Sequence, residues 1–288
     1  MRKSLLLLAI LSLTIACKEN IEEKAAPHLN NAKEAFSVGN FNLAKQEIDS
    51  IRILYPTAVE TRRQGLYLMQ QIEEAEQLQT MEFEDSMITN ARAAFNEIKG
   101  NFTFQKDERY QDIGLYTIKS QAPERNTDRT YIRAQVDEKG QMALISHYRG
   151  SAYIHHDQIR LFIGDNYVET PVSDDRHEFT DLGVYYERLN FISGSDGGAA
   201  AFISANKDAN IKYTLYRKTG PDSRREVYRN LSLAKSDREA IASLYNLSQI
   251  LLSIEEHKKL RDEADRHLKF IQSKMKSGSA EETVQENQ

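Results

Sequence analysis

Cysteine is nearly missing from this sequence, since Cys17 is the only one among 288 residues. No internal disulfide can form, and a chain of this length does not need one to stabilise a core. Tryptophan is absent, and only five prolines and 13 glycines occur. The scarcity of proline leaves long stretches in which a helix can continue without a break.

Long apolar runs are also scarce, because the only one is residues 4–15. That run is too short to cross a bilayer as a mature helix, and it has the position and length of a signal-peptide core. The formal net charge of -5 becomes -7 once Arg2 and Lys3 are removed with such a signal. A mildly acidic chain argues against a nucleic-acid-binding surface and against a broad patch for anionic membranes.

The N-terminal segment combines Arg2 and Lys3, the apolar run, the small residue Ala16 and then Cys17. Residues 13–17 (Leu-Thr-Ile-Ala-Cys) resemble the lipobox of bacterial lipoproteins. The resemblance implies a signal peptide at 1–16, acylation of Cys17 and a lipid anchor in the outer membrane. The alternative is an ordinary secretory signal. Residues 18–20 (Lys-Glu-Asn) resemble the export tags of Bacteroidetes surface lipoproteins, while periplasmic retention stays open.

Residues 17–28 are polar and predict a tether, and residues 29–99 predict a helical hairpin followed by one long helix. The hairpin resembles a single tetratricopeptide repeat at Ala32, Gly39, Phe41, Ala44, Ile48 and Pro56. One repeat cannot bury its own apolar face, so we expect it to dock on another element. The long helix of residues 57–98 would measure about 60 Å at 1.5 Å per residue.

Residues 101–232 change to alternating apolar and polar residues with turn signals, which predicts an antiparallel β-domain. The predicted strands cover 113–118, 131–136, 142–145, 159–163, 167–169, 185–191, 200–204 and 211–216. Residues 147–150, 159–164 and 228–233 are similar to a β-sandwich module of bacterial envelope proteins. The resemblance implies a sandwich fold and carries no activity.

Residues 234–276 predict a second long helix, and residues 277–288 predict a disordered acidic tail. The fold class is therefore α+β, with an N-terminal helical hairpin and two long helices that flank a sandwich-like β-domain. An antiparallel pair of these helices, comparable to a coiled coil, would form a stalk for the β-domain. The alternatives are a compact α+β body and helix pairing between chains, which would cause self-association.

The best binding candidates are Tyr148, Arg149, Tyr153 and Arg160, which accompany the aromatic-glycine stretch of the β-domain. Arginines and tyrosines in this arrangement suit an acidic glycan or peptide, although arginines on strand edges also serve solubility.

Three other clusters do not support a catalytic, metal or cofactor site. His155 and His156 are adjacent, so a strand would point them to opposite faces, and at most one could join His147. The group of Asp174, Asp175 and His177 fits a solvated turn. Residues 193–198 match neither the G-x-S-x-G nucleophile motif nor a phosphate-binding loop.

These observations predict a non-enzymatic, lipid-anchored envelope protein that binds a protein or glycan partner on the periplasmic side or the cell surface. One alternative is an assembly adaptor that docks through the tetratricopeptide-like hairpin. Another is an envelope hydrolase with an unrecognised site, which would need a deep pocket with converging carboxylates or histidines.

Overall fold

The structure, a computed structural model, describes residues 20–109, 111–192 and 194–286. The predicted signal peptide and Cys17 lie outside the described residues. Within them no helix combines the length and the hydropathy that crossing a bilayer requires. The protein is α+β, with an N-terminal helical region and antiparallel sheets, which confirms the predicted class.

The described residues form five α-helices, which we label α1 to α5, and ten β-strands, β1 to β10. In chain order the elements are α1 (Ile21–Ser37), α2 (Phe41–Leu54), α3 (Val59–Ile98), β1 (Thr103–Gln105), β2 (Leu115–Thr117), β3 (Tyr131–Asp137), β4 (Met142–Gly150), β5 (Gln158–Ile163), β6 (Asn166–Glu169), β7 (Arg176–Asp181), β8 (Val184–Ile192), α4 (Ala199–Ala205), β9 (Lys212–Lys218), β10 (Arg224–Ser232) and α5 (Lys235–Glu286).

The described residues divide into two compact units, one from 20–83 and 260–286 and the other from those within 84–259. The second unit contains all ten strands together with parts of α3 and α5. The sequence predicted a β-domain at 101–232 between helical segments at 29–99 and 234–276. The division falls inside α3 and α5 because the C-terminal part of α3 and the N-terminal part of α5 carry apolar residues that pack against the core of the β-domain.

In the first unit, α1, α2 and the start of α3 share one hydrophobic core. The buried side chains of this core are Ala25, Leu29, Ala32, Ala35, Ala44, Ile48, Ile51, Ala58, Leu68 and Ile72. Five of the ten are alanines, and such small side chains allow helix backbones to approach closely.

The expected tether is helical, because α1 begins at Ile21 and continues through Pro27. The Glu22 carboxylate accepts hydrogen bonds from the backbone N–H groups of Glu60 (3.1 Å) and Thr61 (3.0 Å), in the first turn of α3. A carboxylate at this position satisfies free N–H groups and interacts favourably with the helix dipole. This contact and the complete burial of Ala25 give residues 21–28 tertiary partners that the sequence does not reveal.

In the second unit the strands form two antiparallel sheets. The order is β1-β2-β3-β4-β8-β7 in the six-stranded sheet and β10-β9-β5-β6 in the four-stranded sheet. Both sheets contribute to one hydrophobic core, with the inner residues of α4 and α5. Members of this core include Ile132, Leu144, Leu161, Leu189, Tyr213, Leu215, Ile203, Leu244 and Leu247.

Residues 200–204, predicted as a strand, belong to helix α4. Gly198 before the helix has a φ of +85°, and the Asp196 carboxylate accepts hydrogen bonds from the N–H groups of Gly198 (3.1 Å) and Ala200 (2.8 Å). This acidic cap precedes three consecutive alanines, the strongest helix formers, and local preference for helix therefore prevails.

Helix α5 extends to Glu286, beyond Ser277-Gly278-Ser279, where the sequence predicted its end and a disordered tail. Serine and glycine in a helix cost at most about 1 kcal/mol each, and the glutamates that follow favour helix. The polar composition alone therefore does not stop it.

Candidate functional site

The six-stranded sheet gathers three arginines on the face opposite its hydrophobic core. Side chains alternate along a strand, and Ile132, Leu144 and Leu189 belong to the core. Arg133 of β3, Arg149 of β4 and Arg188 of β8 occupy positions of the other parity. We call this group, together with Tyr131 and His147, the arginine face.

Strand register sets the order of these residues. Tyr131 lies opposite His147, and His147 lies opposite Arg188, so the three form a row across β3, β4 and β8. The Tyr131 and His147 rings stack, with centroids 4.8 Å apart and an interplanar angle of 14°. The Arg133 Nε–H donates to His147 Nε2 at 2.9 Å, which ties a second arginine to the row.

The three arginines have no ion pair with a carboxylate among the described residues, whereas other arginines of the same unit do. Arg129, for example, holds Asp237 with bonds of 2.6 and 2.8 Å. The Nε atoms of Arg149 and Arg188 are buried without a hydrogen-bond partner. The arginine face therefore presents concentrated positive charge with unused donors.

Burial increases the cost of this charge. Arg133 is only 8 % exposed, and its side chain bonds to the neutral partners His147 and Gln135. The hydroxyl of Tyr131, a residue that is 3 % exposed, also lacks a hydrogen-bond partner. Native proteins pair nearly all such buried polar groups, so these unpaired atoms add to the energetic cost of the arginine face without a ligand.

The electrostatic environment keeps His147 neutral. Burial, followed by the charges of Arg133 and Arg188, lowers the pKa of His147 to about 3. Burial also lowers the pKa of the Arg133 guanidinium, and the charge of Arg188 acts in the same direction. At neutral pH the positive charge of the arginine face therefore comes from its three guanidinium groups.

This arrangement suits an anionic group. Guanidinium donors match the oxygens of a carboxylate, phosphate or sulfate, and the match is strongest where water is partly excluded. The chemistry of this face is recognition of an anion by guanidinium groups.

The structure separates the four predicted binding residues. Only Arg149 lies on the arginine face. Tyr148 points into the core and donates to the Ala152 carbonyl at 3.1 Å. The Tyr153 hydroxyl bonds to Thr180 Oγ1 at 2.9 Å, and Arg160 lies in the other sheet.

Sequence reasoning missed Tyr131, Arg133 and Arg188. All three lie in segments that were predicted as strands, at positions of the polar parity. The alternation along each strand therefore predicts that these residues share the polar side of their strands. It does not predict that β4 pairs with both β3 and β8. That pairing places Arg188 opposite His147 and diagonal to Arg149, while Arg133 lies on the same face opposite Ile145.

A second polar cluster has the distances of a serine–histidine–glutamate relay, but it is buried. His156 Nε2 lies 3.0 Å from Ser146 Oγ, and His156 Nδ1 lies 2.6 Å from Glu187 Oε2. All three residues are at most 1 % exposed. The Glu187 oxygens also accept hydrogen bonds from the N–H groups of residues 154, 155 and 156. We interpret this cluster as a clamp that holds the segment between β4 and β5, because a substrate has no access to it.

His155, Glu178 and Glu187 bring three potential metal ligands within 4.8 Å of one another. Glu187, however, is occupied by the clamp, and Glu178 Oε1 accepts from Arg176 Nε at 2.7 Å. A neighbouring guanidinium disfavours a bound cation. We therefore interpret these residues as a hydrogen-bonded network.

The remaining candidates lie apart. His177 Nε2 is 3.4 Å from Asp175 Oδ1, and both side chains are largely exposed. His177 also faces Arg188 in the register of β7 and β8, at the margin of the arginine face. Within 193–198, Ser193 lies outside the described residues, and Asp196 caps α4.

Comparison with known proteins returned no match to a family model, to a curated protein or to a solved structure.

Proposed function

We propose that this protein is a non-enzymatic binding protein of the cell envelope that recognises an anionic group through the arginine face. The observation that carries this proposal is the presence of Arg133, Arg149 and Arg188 on one sheet face, where no carboxylate of the described residues pairs with them. The predicted acidic glycan or peptide partner provides the class of ligand.

Without a ligand, the unpaired charges of the arginine face destabilise the protein. A buried or half-buried charge without a counter-ion costs several kcal/mol, and like charges nearby add to that cost. A bound carboxylate, sulfate or phosphate offsets both the cost of burial and the repulsion between the arginines. Each hydrogen bond between charged groups contributes about 1.5–3 kcal/mol.

We propose the envelope location from the N-terminal sequence. In this proposal residues 1–16 are removed, Cys17 is acylated, and the protein is anchored to the outer membrane facing the periplasm or the cell surface. The spacing of Arg2, Lys3, the apolar run and Cys17 supports it. A Cys17→Ser variant should leave the membrane fraction, and its retention there would contradict the lipid anchor.

The finer architecture is also a proposal. We propose that the two sheets are the layers of a sandwich, and the shared core of Leu144, Leu161, Leu189 and Leu215 supports this arrangement. The antiparallel pairing of the two long helices and the stalk remain predictions.

The direct test is binding of polyanions to the detergent-solubilised full chain. We would measure Kd for heparin, a sulfated glycan, and polygalacturonate, a carboxylated glycan, with neutral dextran as the uncharged reference. We expect binding to at least one polyanion and none to dextran. The Arg188→Gln variant should raise Kd roughly 10- to 100-fold, the equivalent of one lost charge-assisted hydrogen bond.

The matched control is Arg225→Gln, which removes an exposed arginine from β10 of the other sheet. If both variants weaken binding equally, the interaction reflects overall charge rather than a site. If the wild type binds neither polyanion, the proposal is wrong.

A second candidate function is the assembly adaptor. The first unit exposes Leu66 (62 %) and Tyr67 (53 %) beside a cleft of about 690 Å³ whose lining includes Phe36, Lys33 and Arg63. A lining with both apolar and basic side chains fits an amphipathic helix with acidic flanks. Crosslinking in cells with a photoreactive residue at position 67 tests it, and the absence of any crosslinked protein would contradict it.

A further inference from the structure

A polar cleft of about 480 Å³ opens on the four-stranded sheet, on the face opposite its core. Ile159, Leu161 and Leu215 of β5 and β9 belong to the core, and residues of the other parity line the cleft. Its lining includes Arg160, Tyr167, Tyr216, Glu226, Arg229 and Asn230.

One wall of the cleft is a fixed stack of arginine and tyrosine side chains. The Arg160 guanidinium lies 4.6 Å from the ring centre of Tyr167 and 5.4 Å from that of Tyr216. The Arg224 guanidinium lies 4.2 Å from the Tyr216 ring centre. Glu169 pairs with both arginines, at 2.6 Å for Arg224 Nη2. The carboxylate and the rings therefore hold the wall in one geometry.

This wall presents an aromatic surface to solvent. Tyr167 is 57 % exposed, although Arg160 lies against its ring. An exposed ring supported by a guanidinium keeps a rigid, flat apolar surface available at low conformational cost. Tyr167 belongs to the short strand β6, which lies at the edge of the four-stranded sheet.

Beyond Tyr216, on the neighbouring strand β10, the cleft is lined by polar side chains. The Tyr216 hydroxyl donates to Glu226 Oε1 at 3.1 Å, and Arg229 Nε donates to Glu226 Oε2 at 3.2 Å. Asp165 and Asn230 add further acceptors and donors. Both signs of charge are therefore present, in contrast to the arginine face, and the cleft favours a neutral ligand with many hydroxyl groups.

Irregular backbone in β10 shapes this part of the cleft. The pairing with β9 shifts between Glu226 and Tyr228 and again between Tyr228 and Leu231. Asn230 adopts a φ of +57°, a conformation that residues other than glycine rarely adopt. Bulges redirect side chains and occur next to binding sites. Here they accompany the placement of Arg229 and Asn230 at the cleft.

We infer that this cleft binds a pyranose ring of a neutral glycan. The apolar C–H face of the sugar would stack on Tyr167, while Glu226, Arg229 and Asn230 would bond to its hydroxyl groups. The cleft lies on a different sheet from the arginine face and shares no residue with it. A negative binding result for one site therefore leaves the proposal for the other unaffected.

The experiment is saturation-transfer difference NMR on the full chain, in a detergent without a sugar head group. The probes are maltose, cellobiose and N,N′-diacetylchitobiose at millimolar concentration. We expect transfer to the ring protons of at least one disaccharide. Tyr167→Ala should raise the Kd for that sugar about tenfold, as expected for loss of one aromatic contact, and Tyr167→Phe should retain binding.

The matched control is Phe83→Ala, which removes a similarly exposed aromatic ring (58 %) from α3 in the first unit. Glu226→Gln provides a second test, because it keeps the shape of the cleft and removes a charged acceptor, so binding should weaken. No transfer to any of the three sugars, or equal transfer to the wild type and Tyr167→Ala, would overturn the inference.

Discussion

The neutral state of His147 makes the stability of the second unit dependent on pH. Its folded pKa of about 3 lies below the ordinary value of 6.5, so the unfolded chain binds a proton more readily. The contribution of this pKa difference to the free energy of unfolding is fully present above pH 6.5 and is lost as the pH falls toward 3. At about 1.4 kcal/mol per pKa unit, the loss is on the order of 4–5 kcal/mol over this range and about 2 kcal/mol by pH 5.

The perturbation is His147→Gln, whose side chain does not titrate and whose amide oxygen can still accept from Arg133. The assay is urea unfolding at pH 7 and pH 5, followed through hydrogen exchange of peptides from β3 and β4. The wild type should lose about 2 kcal/mol more between the two pH values than the variant.

His177→Gln is the matched control, because it removes an exposed imidazole from the next strand but one. NMR gives a second measurement, since the ring signals of His147 should not titrate between pH 7 and pH 5. A midpoint near 6.5, or equal pH dependence of the wild type and His147→Gln, would refute the reasoning.

Two further predictions concern the packing of the same unit. Glu187→Gln removes the acceptor for two of the four hydrogen bonds that Glu187 accepts in the buried clamp, so the free energy of unfolding should fall by about 3–6 kcal/mol; a loss below about 1 kcal/mol in urea titration would contradict the clamp. Gly140→Ala places a Cβ 2.6 Å from the backbone nitrogen of Leu252 at a φ of +89°. Gly164→Ala, at a φ of +57° with no atom within 4 Å, carries only the backbone strain. The first variant should therefore be less stable than the second by roughly 1–3 kcal/mol in thermal unfolding, and equal stabilities would contradict the close approach of the hairpin and α5.

The mixed helical and antiparallel character was predictable because it depends on local patterns. Apolar residues at helical spacing marked the course of α3 and α5, and alternation marked β3, β5 and β8. Local patterns failed where tertiary contacts or a cap prevailed. Helix α1 extends over the expected tether because Glu22 reaches α3, and α4 replaces a predicted strand because Asp196 caps an alanine run.

The candidate sites were less predictable than the elements that carry them. Arg149 and Arg160 were both chosen from one stretch of sequence, but they lie in different sheets with different partners. Arg160 is neutralised by Glu169, whereas Arg149 has no carboxylate partner among the described residues. Such a difference depends on neighbours that are distant in sequence, which no spacing rule supplies.

The sequence by itself determined the secondary-structure class of this protein and the single apolar N-terminal run that ends at Cys17, since periodicity and composition are local properties. Only the tertiary structure decided which charged side chains meet. Strand order places β4 between β3 and β8, and this register joins Arg133, Arg149 and Arg188 on one face. The energies of these charges follow from burial and from the lack of an ion pair with any carboxylate of the described residues, which are properties of the assembled sheet.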